Sequence, residues 1–271
     1  MERLQSAIAK ARASRQTSPE APPKAVTKPR EPVADAWGGL GALHLDTERL
    51  DENRIVALRS GPEAAIFDMM RTNLLHQLRE KKWTRVAITS PGSACGKTTI
   101  SLNLAFSLAR QTDLKVIVLE MDLRRPAIQR ALSLDRTFNF AGVLNGSERV
   151  QDQLLRWGAN LAFGLNSFPV PNPAELLSSD SAADAIEALE AQFKPDVILF
   201  DMPPMLVRDD TAAFLDQVDC ALMVAAAEES SVSDIDLCGK ELAAHTNVLG
   251  VVLNKCRLMG RENSDRYGAY Y

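Results

Sequence analysis

Three short stretches of the chain carry residue types whose spacing permits phosphate chemistry. The first is Ser90-Pro-Gly-Ser-Ala-Cys-Gly-Lys-Thr-Thr99, set between an apolar run and a segment with helical spacing. A glycine-containing loop that opens a helix turns backbone N–H groups towards an anion, and the helix dipole adds to their pull. In the pattern G-x-x-x-x-G-K-[ST] such a loop cradles nucleotide phosphates. Gly92, Ser93, Ala94, Cys95, Gly96, Lys97, Thr98 and Thr99 are therefore the expected ATP-binding residues. Lys97 would reach the β- and γ-phosphates, and the Thr98 hydroxyl would ligate Mg2+. Pro91 occupies the place of the pattern's first glycine, with Gly92 beside it.

The second stretch is Val116-Ile-Val-Leu-Glu-Met-Asp-Leu-Arg-Arg-Pro126, an apolar run that ends in acids. Strand alternation puts Glu120, Asp122 and Arg124 on one side if the chain stays extended. Carboxylates there can hold a magnesium-bound water or accept a hydroxyl proton, and Arg124 can stabilise phosphoryl charge or shape the acidic site. The third stretch, Val197-Ile-Leu-Phe-Asp201-Met-Pro-Pro204, places Asp201 after four apolar residues, as expected of a carboxylate that holds magnesium through water. Thus Lys97, Glu120, Asp122 and Arg124 are the expected catalytic residues, and Thr98, Asp122 and Asp201 the expected metal-binding ones.

A fourth feature is the placement of tyrosine. All three tyrosines, Tyr267, Tyr270 and Tyr271, fall within the last five residues. Their surroundings, Arg261-Glu-Asn-Ser-Asp-Arg266, are polar, so residues 257–271 are expected to form a flexible tail of phosphoacceptors. Phosphorylation would add about −1.5 to −2 charges per tyrosine at pH 7.

The elements that must position these residues follow from the hydrophobic pattern. Short apolar runs occur at Arg85–Thr89, Val116–Glu120, Val197–Asp201, Cys220–Ala225 and Leu249–Asn254, separated by helical segments such as Thr98–Arg110 and Ser181–Phe193. Fully apolar short strands alternating with helices imply an α/β, doubly wound, mostly parallel sheet with helices on both faces, and a ligand at the strands' carboxyl ends. Residues 51–256 are the expected P-loop domain. Residues 1–15 read as a short helix with Leu4, Ile8 and Ala11 on one face, and 16–50 as a disordered or extended linker poor in large apolar residues.

Composition narrows the function classes. The chain has 271 residues, 46% apolar and 24% charged, with a net charge of −4, so nothing points to a nucleic-acid partner. No run approaches the roughly 18 apolar residues of a membrane span, and the charged N-terminus lacks a signal-peptide core. The four cysteines, Cys95, Cys220, Cys238 and Cys256, form no C-x-x-C pair, which suits a reducing cytoplasm.

Taken together, Thr89-Ser-Pro…Gly96-Lys-Thr98, Asp122-Leu-Arg-Arg-Pro126, Phe200-Asp-Met-Pro-Pro204 and the tyrosine tail resemble the bacterial tyrosine autokinases of capsule and exopolysaccharide assembly. Asn172-Pro-Ala-Glu-Leu-Leu177 and Val251-Val-Leu-Asn-Lys255 also match that family, so the likeness runs from about Ala64 to Tyr271. Gly92 stands where the septum- and chromosome-positioning ATPases of the superfamily carry lysine, which argues against that branch. The resemblance implies an ATP- and Mg2+-dependent kinase that phosphorylates its own tyrosines and controls polymer length or export. It implies a homo-oligomer and a membrane polysaccharide co-polymerase as activator, with the chain cytoplasmic and peripheral to the inner membrane. Two positions depart from the pattern. Glu120 replaces the first aspartate of the second motif, and Ala65, Asp68 and Arg71 stand where the ring-forming helix carries Glu, Arg and Arg. These departures keep open an ATP-gated adaptor ATPase without tyrosine transfer; a third, non-enzymatic reading is a scaffold subunit docking through residues 2–15, which would bind no ATP.

Overall fold

The computed structural model describes residues 36–256 of the chain. The expected N-terminal helix over 1–15, the first part of the linker and the tail 257–271, with Tyr267, Tyr270 and Tyr271, lie outside the described residues. In chain order the elements begin with β1 (Gly41–Ala42), α1 (Thr47–Glu52), α2 (Ala65–Lys81), β2 (Arg85–Thr89), α3 (Lys97–Ala109) and β3 (Val116–Glu120). Three short helices follow: α4 (Ile128–Ala131), α5 (Phe140–Leu144) and α6 (Val150–Gln153). Then come β4 (Leu154–Trp157), β5 (Leu161–Gly164), α7 (Pro173–Leu177), α8 (Asp180–Phe193) and β6 (Val197–Asp201). A 3-10 turn at Ala212–Gln217 leads to β7 (Cys220–Ala226), α9 (Val232–His245) and β8 (Asn247–Asn254).

The eight strands form one sheet in the order β1-β4-β5-β3-β6-β2-β7-β8. Every pairing is parallel except β4 with β5. This is the doubly wound α/β sheet expected from the apolar runs. Its central strands are buried end to end, so both pleat faces need apolar cover. Val116 and Val118 of β3 point into one core with Leu102, Phe106 and Leu199. Ile117 and Leu119 point into the other, with Phe200, Ile186 and Phe214. The period of two in a wholly apolar strand thus feeds two separate cores. Helix α3 is sunk against the sheet along nearly its whole length, with Leu102, Leu104, Phe106 and Leu108 buried. That depth gives the phosphate loop at its N-terminus a rigid base.

Residues 36–50 correct the linker expectation, because they belong to the folded body. Trp37 is 2% exposed and Leu50 0%, with Leu40 and Leu43 also buried. The Trp37 indole N–H donates to the Phe193 carbonyl at 2.7 Å, and its ring meets the Phe193 ring edge-on, centroids 6.3 Å apart. Asp46 caps α1 by accepting from Glu48 N–H and Arg49 N–H. A few well-spaced large apolar residues suffice here because the two cores supply their partners, Leu43 and Leu50 joining one and Trp37 and Leu40 the other, which composition alone does not reveal. The two-residue β1 pairs parallel with β4 through Gly41 and Ala42, too short a strand to announce itself by period.

Helix α2 carries the three positions of the expected ring motif, and Asp68 is engaged within its own chain. Its carboxylate accepts from the Ser107 hydroxyl at 2.6 Å and pairs with Arg71 at 3.3 Å and with Arg110. Ser107 lies on α3, so this cluster fastens α2 to the helix that follows the phosphate loop.

Candidate active site

Strands β2, β3 and β6 are neighbours in the sheet, and their carboxyl ends bring the three sequence motifs to one place. The loop after β2 closes onto the chain after β6. Met202 N–H donates to the Ile88 carbonyl, Met205 N–H to Ser90 and Leu206 N–H to Pro91. Residues 88–91 therefore continue beside 202–206 as an extended strand would, a geometry that proline's fixed φ permits. This explains how Pro91 stands where a flexible glycine is usual. The turn comes later, at Ala94 with φ 62° and Gly96 with φ 90°. Glycine is required at position 96. A Cβ there would lie 2.2 Å from the Asn254 side-chain nitrogen, which donates to the Cys95 carbonyl at 2.9 Å. The Cys95 thiol is buried, 3.3 Å from the Gly92 carbonyl, and acts as a small filler inside the loop.

Lys97 and Thr98 begin α3, where the free backbone N–H groups of a helix start point out of the sheet's carboxyl edge. The Thr98 hydroxyl donates to one carboxylate oxygen of Asp201 at 2.7 Å, and the Ser101 hydroxyl donates to the other at 3.0 Å. Asp201 is 1% exposed. Burial pushes its carboxyl up to about 6, against the opposing pull of Lys97 and the two hydroxyls. Asp122 is also raised by burial, with Lys97 acting to lower it. Lys97 thus acts electrostatically on both carboxylates, and the Thr98 hydroxyl is bonded to one of them. Such a donor set of hard oxygens beside a phosphate cradle suits Mg2+.

The second strand end turns where an extended chain was expected. Beyond Glu120, Met121 N–H and Asp122 N–H both donate to the Asp201 carbonyl, and Arg125 N–H donates back to the Asp122 carbonyl and side chain. This turn separates the three residues expected on one side. Asp122 and Arg124 line a cavity of about 240 Å3 together with Ser93, Ala94, Lys97 and Asp210. Glu120 does not line it. One of its oxygens accepts from Ala127 N–H at 2.6 Å and Ile128 N–H at 2.7 Å, the other from Asn166 N–H at 2.9 Å. Wholly buried, it is pushed up to about 7 by desolvation, which those backbone donors only partly offset. The expectation that Glu120 acts directly on phosphate or water is corrected. Its carboxylate ties the 121–128 turn to the chain after β5. The longer glutamate stem makes that reach possible.

Arg124 grips Asp210 with Nε at 2.6 Å and Nη2 at 2.9 Å, a bidentate pair in which Asp210 is 1% exposed. Sequence reasoning did not single out Asp210, because an acid in a loop after Pro203-Pro204 carries no periodic signal. Its neighbour Thr211 and the strand residue Thr89 both donate to the Pro203 carbonyl, at 2.8 and 2.7 Å, and so fix the start of that loop. Ser101 and Asn254 were likewise not predicted as site residues. Ser101 lies one helical turn after Lys97, a spacing that could have revealed it.

A phosphate loop opening a buried helix, opposite two acidic strand ends, defines a P-loop nucleotide-binding protein. The sequence profile of the CobQ/CobB/MinD/ParA nucleotide binding domain family, CbiA, matches residues 86–267. Tyrosine-protein kinase CpsD of Streptococcus pneumoniae is 31% identical over 192 residues, covering 70% of this chain and 82% of that protein. Tyrosine-protein kinase YwqD of Bacillus subtilis is 29% identical over 204 residues, covering 74% and 85% respectively. A putative tyrosine-protein kinase in the cps region of Klebsiella pneumoniae is 30% identical over 68% of this chain, which spans 26% of that longer protein. Among solved structures, the VpsO kinase domain superposes with a TM-score of 0.63 at 28% identity, covering 72% of this chain and 95% of that one. The MinD protein of Pyrococcus horikoshii, solved with Mg-ADP, shares the fold at a TM-score of 0.54 and 22% identity, over 68% of this chain and 77% of that one. The chain belongs to the CobQ/CobB/MinD/ParA nucleotide-binding family and, within it, to the bacterial tyrosine-protein kinases. Among the described residues no helix is long and apolar enough to cross a membrane.

Proposed function

We propose that this chain is an ATP- and Mg2+-dependent autokinase whose acceptors are Tyr267, Tyr270 and Tyr271. The observation that carries this reading is the meeting of Lys97 and Asp122 in one partly enclosed cavity, with Thr98, the next residue of the same helix start, hydrogen-bonded to the buried Asp201. The backbone of 92–99 and Lys97 would bind the phosphates. Thr98, Asp122 and Asp201 would hold Mg2+, which neutralises phosphate charge when bound. The tyrosine oxygen attacks the γ-phosphorus and forms the new O–P bond. The bond from that phosphorus to the bridging oxygen of ADP breaks, and the phenol proton passes to the Asp122 carboxylate. Lys97 balances the charge on the departing ADP. Arg124, held by Asp210, keeps a fixed positive charge at the cavity wall.

The same reading makes the chain a cytoplasmic subunit, recruited to the inner membrane and activated by a polysaccharide co-polymerase. It would work as a homo-oligomer, and its tail phosphorylation would regulate exopolysaccharide or capsule polymerisation and export. A second reading, an ATP-gated adaptor without tyrosine transfer, draws support from Glu120, whose carboxylate is taken up by backbone N–H groups away from the cavity. Replacing Tyr267, Tyr270 and Tyr271 together by Phe separates the two. Loss of polymer regulation with ATP binding intact supports the autokinase, whereas unchanged regulation leaves the adaptor.

A further inference from the structure

A second concavity, of about 290 Å3, adjoins the cavity that holds Lys97 and Asp122. The two share Val207 and Arg208, so a single row of side chains separates them. The lining of the outer one mixes apolar side chains with the charged Arg208, Asp209 and Glu241. Met205 and Leu206 form part of one side, while Leu237 of α9 stands opposite, 49% exposed. Val207 on the dividing ridge is 52% exposed. Exposed apolar side chains facing each other across a groove gain from covering. The rim carries Asp209 and Glu241, both exposed acids.

Resting on the autokinase reading, we propose that this outer groove is the acceptor-docking site, occupied by the tyrosine segment Arg266–Tyr271. It seats one tyrosine ring while another enters the catalytic cavity. Four observations choose this occupant. Tyr267 and Tyr270 are three residues apart. In a polyproline II conformation, with three residues per turn and a rise of about 3.1 Å per residue, the two rings fall on one face about 9 Å apart, so one can sit on either side of Val207 and Arg208. A tyrosine suits the groove's chemistry, since its ring buries against the apolar side chains and its hydroxyl stays at the polar rim. Arg266 directly precedes Tyr267 and is opposite in charge to Asp209 and Glu241, which outnumber Arg208 among the groove's charged residues. Finally, β8 runs parallel to β7 and ends at Asn254, whose side chain bonds the phosphate loop at Cys95, so the following segment leaves from the catalytic end of the sheet.

The groove makes a specific claim about the acceptor. Selectivity comes from pairs of aromatic residues three apart with a preceding base, and affinity comes from outside the catalytic cavity. A tyrosine without a neighbouring ring would be a poor substrate even though its hydroxyl is chemically equivalent.

The test uses the full chain with Tyr267, Tyr270 and Tyr271 replaced by Ser, so that its own tail does not compete. A peptide of residues 261–271 with a fluorophore at its N-terminus is titrated in the presence of Mg-ADP, and its phosphorylation is followed separately with ATP. Leu237→Asp should weaken peptide binding at least tenfold while Mg-ADP affinity stays unchanged. Glu241→Arg should weaken it severalfold, and a peptide carrying Arg266→Glu should recover on that variant what it loses on the parent. Peptide affinities within twofold of the parent for both variants would overturn the groove, whether or not the peptide is phosphorylated. A peptide that binds with the expected dependence but is never phosphorylated would uphold the groove and sink the kinase reading instead.

Discussion

Asp201→Asn should make the nucleotide-free protein more stable while abolishing its use of magnesium. Asp201 is fully buried, and its carboxyl sits at about 6 in the fold against an ordinary 3.8. Since the folded state holds the proton more tightly than the unfolded one, stability is full below the lower value and falls as pH rises through the window from 3.8 to about 6. Above that window the charge costs about 3 kcal/mol, at about 1.36 kcal/mol per tenfold change. Asparagine removes the charge but offers one acceptor oxygen where the carboxylate offered two. Either Thr98 or Ser101 must then turn its hydroxyl to accept, at a cost of about 1 kcal/mol. The net gain is about 2 kcal/mol near pH 7.5. The variant also removes a negative neighbour of Glu120, which acts in the same direction. For a domain of this size that gain raises Tm by about 4–8 °C. Thermal unfolding without nucleotide or metal, at pH 7.5 and again near pH 4, measures it directly. The Tm advantage should be present at the higher pH and shrink at the lower. Addition of Mg-ADP should stabilise the parent by mass action and leave the variant unmoved. A variant less stable than the parent at pH 7.5 would refute the argument that the buried carboxylate is held for a cation at the expense of stability.

Glu120→Asp restores the residue of the family pattern, yet it should harm this protein. Its stem is shorter by about 1.5 Å, so the N–H groups of Ala127, Ile128 and Asn166 cannot all be satisfied; urea unfolding should show a loss of about 2–4 kcal/mol. Kinase turnover should fall with it, and an aspartate variant with full stability and higher turnover would contradict the assignment. Trp37→Ala should cost about 3–5 kcal/mol by emptying the site against Phe193, measurable by urea unfolding of the full chain. An effect under about 0.5 kcal/mol, the range of ordinary surface changes, would return residues 36–50 to the status of a linker.

Much of this arrangement was legible in the sequence because its strands are buried on both faces. Arg85–Thr89, Val116–Glu120 and Val197–Asp201 are the observed bounds of three central strands. A wholly apolar run flanked by helical spacing has few alternatives. Thr98 beside Asp201 and Lys97 beside Asp122 followed from where those strands end. The losses have physical causes. Strand alternation stops where the chain turns, and the backbone bonds from Met121 and Asp122 to the Asp201 carbonyl turn it directly after Glu120. The partner of Arg124 lies 86 residues away in a loop, beyond the reach of any local pattern. Trp37 was hidden in a proline- and alanine-rich context, and the edge strand β1 and its neighbour β4 are too short to show a period.

The proposed reaction moves the γ-phosphoryl group of bound ATP to the chain's own tyrosines. Its most direct test is peptide mass measurement of the purified chain after incubation with ATP and Mg2+, with and without the cytoplasmic segment of a membrane co-polymerase, beside Lys97→Met. The parent should carry phosphate on Tyr267, Tyr270 or Tyr271, and the variant none. ATP binding with unmodified tyrosines, even with the co-polymerase segment present, would contradict that transfer.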